Sequence, residues 1–217
     1  FHDAKHHRDF MMQNNVARAA SKVAVFIACL IPLAWVIWLA FSPGVGGSGL
    51  GPNPQEFLNR FLGDWALRFL LISLAVTPVR TLLRWNWVFR FRRMLGLFAF
   101  FYVCLHLSSY IALDKQFYWV EVWEDVVKRI YITIGMATFL LLIPLAATST
   151  AGMVKRLGAM RWRRLHQIIY VIAPLACVHF FMMRKGVQVE PMIYGAITAS
   201  LLMVRVWHRV KSNRNAR

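Results

Sequence analysis

Three histidines of this 217-residue chain stand inside long apolar runs, His106 in one and His166 and His179 in another. An ionisable side chain in hydrocarbon is costly, so an intramembrane histidine is a functional candidate by default. The bland alternative is an imidazole hydrogen-bonded to a neighbouring helix, and three histidines on two segments weaken it. His2, His6 and His7 lie in a polar start and His208 in a basic tail, and no function is assigned to those four. Two imidazoles from facing helices with an iron between them make a six-coordinate low-spin haem. Such a haem passes electrons and leaves little access for oxygen or substrate. Zinc is disfavoured, because no third or fourth Cys, His or carboxylate lies at matching depth.

The elements that would carry these residues are transmembrane helices. The chain is 59% hydrophobic and 16% charged, against roughly 45 to 50% and about 25% in a soluble domain. Six runs are near the roughly 20 residues needed to cross about 30 Å of hydrocarbon: 23–42, 65–83, 94–113, 131–148, 165–183 and 191–207. The expected fold is an all-α integral membrane six-helix bundle over 23–207, with an N-terminal segment 1–22 and a basic tail 208–217. The first run is too long for a signal-peptide core and reads as an uncleaved helix. The chain does not begin with Met, so its first ten or so residues read as a processing remnant. The loop 43–64, rich in Gly and Pro, leaves room for a short interfacial helix over 55–62. Cys29, Cys104 and Cys177 have no CxxC spacing and read as small apolar packing residues.

A net charge of +17 would suit nucleic acid if it were clustered on an exposed surface. Here it lies between apolar runs and reports topology. Nineteen of the 26 Lys and Arg fall in the first segment, 80–93, 155–164 and 205–217, whereas seven of the nine acids fall in the alternate loops. By the positive-inside rule both termini are cytoplasmic, and the basic loops can meet anionic membrane lipid. Trp119, Trp123, Trp162 and Trp207 sit near helix ends as an aromatic belt, and the acids Glu121, Glu124 and Asp125 could rim an outer docking face.

With that orientation the helices of His106 and His179 run the same way, and each histidine lies roughly 18 to 21 Å from the inner end, so the two can pair. His166 lies about 19.5 Å below His179, which suits a second, inner cofactor. The two are out of angular register, however, and one continuous stack requires a distortion near Pro174. The third helix offers Arg92 and Arg93, not a histidine, at the inner level. Together with Arg163 and Arg164 they can pair with haem propionates or the phosphate of flavin mononucleotide, besides serving topology.

The segments TPVRTLL (77–83), RRMLGL (92–97), LHLSSY (105–110), YITIGM (131–136) and RWRRLHQIIYVIAPLACVHF (161–180), in that order, resemble the MsrQ (YedZ) family of bacterial inner-membrane haem proteins. That family belongs to the ferric-reductase and NADPH-oxidase transmembrane superfamily. The resemblance implies haem b on His106 and His179 with His166 as the inner ligand, and flavin mononucleotide as a further cofactor. It implies electrons taken from the respiratory quinone pool or from a cytosolic flavin reductase. They would pass to a periplasmic molybdopterin enzyme that reduces methionine sulfoxide in oxidised proteins. Alternatives are a ferric or cupric reductase subunit and a non-redox transporter or scaffold. No FAD or NADPH domain follows the sixth helix, so direct NADPH oxidation by this chain is not expected.

Overall fold

The computed structural model describes residues 2–43, 49–184 and 188–214, with side chains described over 16–43, 49–184, 188–208 and at 211. Among the described residues there are no strands, and nine α-helices are present: α1 His2–Phe41, α2 Pro54–Leu82, α3 Arg92–Ser109, α4 Trp119–Lys128, α5 Ile130–Ala147, α6 Ala151–Leu157, α7 Ala159–His166, α8 Ile169–Met183 and α9 Val189–Arg214. Six segments are long and apolar enough to span a bilayer: 16–41, 54–82, 86–114, 130–147, 159–183 and 189–208. The chain is a multi-pass membrane protein. Residues 1–52 and 53–217 form separate compact units; the first contains α1, and the second contains every element described below.

In the second unit α2 packs along α3, α5 along α8, and α8 against α9. These helices bury their apolar side chains toward one another: Phe69, Leu70, Leu74, Tyr102, Ile172 and Ala173 are among the most enclosed. The expected interfacial helix over 55–62 is instead the first two turns of α2. Asn53 caps it by accepting from Glu56 N at 3.3 Å, and Pro54 starts it with φ already set and no amide to satisfy. Nothing between Pro54 and Leu82 breaks the ladder until Pro78, whose missing amide frees the Leu74 carbonyl. Arg205 Nη2 of α9 takes up that carbonyl at 2.5 Å, the kind of interhelical repair that makes proline tolerable in a membrane helix.

The fifth span is not one helix. It breaks immediately after His166, where Gln167, Ile168, Tyr170 and Val171 each donate to the carbonyl three residues back, tightening the turn into a 3₁₀ form. The distortion expected at Pro174 therefore lies at 167–168, and Pro174 sits inside α8. Gly158, at φ 76° and ψ 151°, both ends α6 and starts α7; that conformation suits glycine alone.

Helix α4, read in the sequence as loop, lies between two spans and is secured by a charged knot. Asp125, 7% exposed, accepts from Tyr110 Oη at 2.8 Å and pairs with Lys115 at 2.8 Å and Arg129 at 3.1 Å. Asp125 thus faces inward and does not belong to an outer acidic rim, because it is buried and its carboxylate is taken up by Tyr110, Lys115 and Arg129. Glu124 is paired with Lys128 at 2.7 Å. Trp119 and Trp123 are exposed on the other side of α4, as an aromatic belt requires.

Burial alone raises the Asp125 carboxyl, but the hydrogen bonds from Lys115 and Tyr110 outweigh it and hold the group below the ordinary aspartate value. Lys115 is raised, chiefly by its bond to Asp125. Asp125 therefore contributes stability that is present above about pH 3.9 and is lost as pH falls through its lower folded value; Lys115 contributes stability that is present below about pH 10.4 and is lost as pH rises through its higher one. Hydrogen exchange of the α4 amides, corrected for intrinsic rates, is expected to be constant from about pH 5 to 9 and to accelerate below about pH 4. Asp125→Asn is expected to remove that acid limb, and an unchanged limb in the variant would assign the effect elsewhere.

Candidate functional site

His106 and His179 line one cavity of about 430 Å³ at the α4 end of the helices, and their ring centroids are 6.3 Å apart with planes at 75°. Each ring is seated on the backbone of a different neighbouring helix. His106 Nδ1 lies 2.9 Å from the Asn59 carbonyl of α2, and His179 Nδ1 lies 2.7 Å from the Tyr131 carbonyl of α5. A carbonyl can only accept, so both Nδ1 atoms carry the proton and both Nε2 atoms keep a free lone pair. This is the tautomer and the orienting bond found behind most metal-bound histidines.

The two seats are built alike. Four residues beyond each carbonyl, one helical turn up, stands a glycine: Gly63 above Asn59 and Gly135 above Tyr131. A Cβ at Gly63 would stand 3.1 Å from His106 Nδ1, and one at Gly135 would stand 2.7 Å from Cε1 and 2.9 Å from Nδ1 of His179. The glycines clear the space the rings occupy. Asn59 holds His106 a second way, since its Nδ2 donates to the His106 carbonyl at 3.2 Å and to Ser109 Oγ at 2.9 Å.

The residues present fit a metal held between two imidazoles. With metal–nitrogen bonds of about 2.0 to 2.1 Å and about 1.1 Å from nitrogen to ring centre, such a pair has centroids a little over 6 Å apart. Among the described residues no third His, Cys, Asp or Glu joins them in a metal-holding group. The remaining four positions of an octahedral iron would fall to a porphyrin. The walls suit one: Leu67, Leu70, Val103, Phe139 and Leu142 are apolar, whereas Arg60, Asp64, Arg129 and Arg184 stand toward the α4 end. Arg184 is held there by Asp64 at 3.3 Å and Glu190 at 3.2 Å.

His166 lies elsewhere and is held in the opposite sense. It lines a second cavity, of about 500 Å³, at the other end of the helices with Arg92 and Arg163. Arg93 and Arg164 are exposed and outside that lining. Thr148 donates its hydroxyl to the Pro144 carbonyl at 2.6 Å, so at the 3.2 Å contact with His166 Nε2 the imidazole is the donor. Nε2 is thereby occupied and Nδ1 is the free nitrogen. The ring also stacks on Trp162, 4.0 Å between centroids, and Trp162 Nε1 donates to the Thr148 carbonyl at 2.9 Å. Trp162 is therefore part of the packing around His166.

The profile of the ferric reductase like transmembrane component matches residues 62–177. A protein of Rhodospirillum rubrum is 52% identical over 196 residues, 90% of this chain and 92% of its own length. It is called protein-methionine-sulfoxide reductase heme-binding subunit MsrQ, as are relatives of Herminiimonas arsenicoxydans, 49% identical over 89% of this chain and 88% of theirs, and of Caulobacter vibrioides, 46% identical over 84% and 85%. The chain belongs to the MsrQ family. The resemblance read from the motifs between Thr77 and Phe180 is thus upheld over most of the sequence.

The sequence did not single out four residues that seat the two rings: Asn59, Gly63, Tyr131 and Gly135. Two of them act through backbone carbonyls, which any residue type supplies, and so leave no mark in composition. The glycines were visible. A glycine in a helix interior costs about 0.8 to 1.0 kcal/mol relative to alanine in water, which is reason to ask what lies against it.

Proposed function

We propose that this chain is the haem-bearing electron-transfer subunit of a methionine sulfoxide reductase system, with His106 and His179 as the axial ligands of haem b. The observation that carries it is the paired seat: two imidazoles 6.3 Å apart, each with Nδ1 committed to a helix carbonyl and Nε2 free. Haem bound there would supply a one-electron carrier inside the membrane. The protein's own part is to fix the imidazole tautomer, to line the porphyrin space with apolar side chains, and to offer the iron two imidazoles that would leave no open position for substrate. The relatives' names supply the reductase partner, and the charge pattern supplies the orientation. Both termini are cytoplasmic in a bacterial inner membrane, with the His106–His179 cavity on the periplasmic side. Electrons then enter from quinol or a cytosolic flavin reductase and leave to a periplasmic molybdopterin enzyme.

The cavity of His166, Arg92 and Arg163 takes a second cofactor in this reading, either a haem b or flavin mononucleotide. His166 would have to offer Nδ1 or release Thr148, so it is the less prepared ligand of the three. The domain division follows, with 23–207 as the electron-transfer unit between a polar start and a basic tail.

A visible spectrum of the detergent-purified protein, expressed with adequate haem, tests the reading. The expected result is a Soret band that shifts and sharpens on dithionite, with the split α-band region of a low-spin b-type haem. A colourless protein would overturn it and favour a transporter or scaffold.

A further inference from the structure

Each of the two imidazoles depends on a helix end on the α4 side of their cavity. His106 lies in the last turn of α3, and the Tyr131 carbonyl that takes His179 Nδ1 lies in the first turn of α5. Helix ends fray, because their backbone groups lack some of the partners that hold an interior turn. An imidazole that relies on such an end keeps its place only if something fastens the end.

One carboxylate fastens both ends, with one oxygen for each. Asp125 Oδ2 accepts from Tyr110 Oη and from Lys115 Nζ, each at 2.8 Å. Those two residues bracket a single π-helical turn that continues α3, in which the Lys115 amide reaches back five residues to the Tyr110 carbonyl at 2.9 Å. Such turns are rare and are found frequently at functional sites. The Tyr110 amide in turn donates to the His106 carbonyl. On the other side Asp125 Oδ1 pairs with Arg129 Nε at 3.1 Å, and Arg129 Nη1 donates to Tyr131 Oη at 3.2 Å. Tyr131 thus gives its carbonyl to His179 and its hydroxyl to the chain that ends on Asp125. Tyr110, Arg129 and Tyr131 line the same cavity as the two histidines. The α3 arm is the stronger one, because Tyr110 and Lys115 meet a buried carboxylate directly, whereas the Arg129 side chain is 52% exposed and shares its bonds with water.

We propose that Asp125 is a positioning residue of the haem site: through Tyr110 and Arg129 it fixes the α3 end that carries His106 and the α5 end that seats His179, and so sets the angle between the two rings. This rests on the reading of those histidines as haem ligands and adds to it a residue that acts only through others. The angle in question is the 75° between the imidazole planes. Groups that orient a metal ligand tune the metal as well as hold it, so a change at Asp125 reaches the haem as a reorientation and not only as a loosening.

The test uses the full chain expressed with haem, as wild type and as Asp125→Asn, Tyr110→Phe, Tyr131→Phe and Glu124→Gln. Each Phe variant deletes one hydroxyl and changes no charge, and Tyr131→Phe leaves the carbonyl under His179 in place, so these two decide the matter if Asp125→Asn does not fold. Glu124→Gln removes the same charge from the same helix outside the fastening. Transfer of haem to excess apomyoglobin gives the release rate, and the electron paramagnetic resonance g-values of the ferric low-spin haem report the angle between the imidazole planes. Asp125→Asn is expected to release haem roughly tenfold faster, the lower end of the cost of disturbing a ligand-orienting group, and to shift the g-values. Tyr110→Phe follows in the same direction by a smaller factor and Tyr131→Phe by a smaller one still, while Glu124→Gln matches wild type. Asp125→Asn combined with Tyr110→Phe falls short of the sum of the two, since both remove one bond. Release rates and g-values in Asp125→Asn and both Phe variants equal to those of Glu124→Gln overturn the proposal and leave Asp125 as a support of α4 alone. Faster release with wild-type g-values overturns it too, because packing is then lost without reorientation. A wild type without haem overturns the haem reading itself, and this link with it.

Discussion

Haem is expected to disappear from the His106–His179 cavity when either histidine is replaced by alanine, with His179→Ala and His106→Ala equally damaging. Each ring is one of two axial donors, and nothing nearby replaces it: among the described residues no further His, Cys, Asp or Glu completes a metal-holding group there. Loss of the groups that only orient a ligand costs about 10- to 100-fold in metal affinity, so removing one of the two imidazoles that would hold the iron exceeds that range. The measurement is the haem-to-protein ratio by pyridine haemochrome, with size-exclusion elution as the check on folding. A variant that keeps a wild-type ratio and a low-spin spectrum would show that the pair is not the ligand set. The same measurement on His166→Ala counts the cofactors, since a second haem at the inner cavity would be lost selectively.

The second large effect is expected at a residue that touches no cofactor. Gly135→Ala places a Cβ 2.7 Å from His179 Cε1, a separation that real side chains do not adopt, so the ring must leave its seat. The backbone has no reason to object, because alanine in a helix interior is favoured over glycine by about 0.8 to 1.0 kcal/mol. The two effects therefore have opposite signs. Helix stability rises slightly, while haem retention falls by roughly 10- to 100-fold in affinity, the usual cost of disturbing the group that orients a ligand. Gly63→Ala is expected to be milder, since its Cβ would stand 3.1 Å from His106 Nδ1 and a small displacement relieves the contact. Circular dichroism and the haemochrome ratio, read together, check both. If Gly135→Ala retained a wild-type haem ratio and potential, the glycine would be a packing residue only.

The two histidine seats share one construction. Two adjacent helix pairs, α2 with α3 and α5 with α8, repeat one device: a carbonyl on the first helix takes the imidazole N–H of the second, and a glycine one turn on makes room. No repeat is visible in the sequence, because the device uses a backbone atom and an absent side chain. His166 lacks the device. Its Nε2 is committed to Thr148 and its ring to Trp162, which separates it chemically from the other two and places it with the arginine-lined cavity.

Much was legible from the chain alone. Hydrophobic runs of spanning length announced six membrane segments, because hydrocarbon forbids an unsatisfied backbone and so forces helices. The cost of an ionisable group in that medium singled out His106, His166 and His179, and rise per residue paired His106 with His179. The break at Gln167–Ile168, the full length of α2 from Pro54 and the inward turn of Asp125 were not legible. Each depends on which distant group answers a polar atom: Asn53 capping α2, Lys115 and Tyr110 meeting Asp125, Thr148 and Trp162 gripping His166. Periodicity and composition report what a segment prefers. Only the packed helices decided which imidazole nitrogen is left free, because the tautomer is set by the carbonyl of Asn59 or Tyr131 that the neighbouring helix presents.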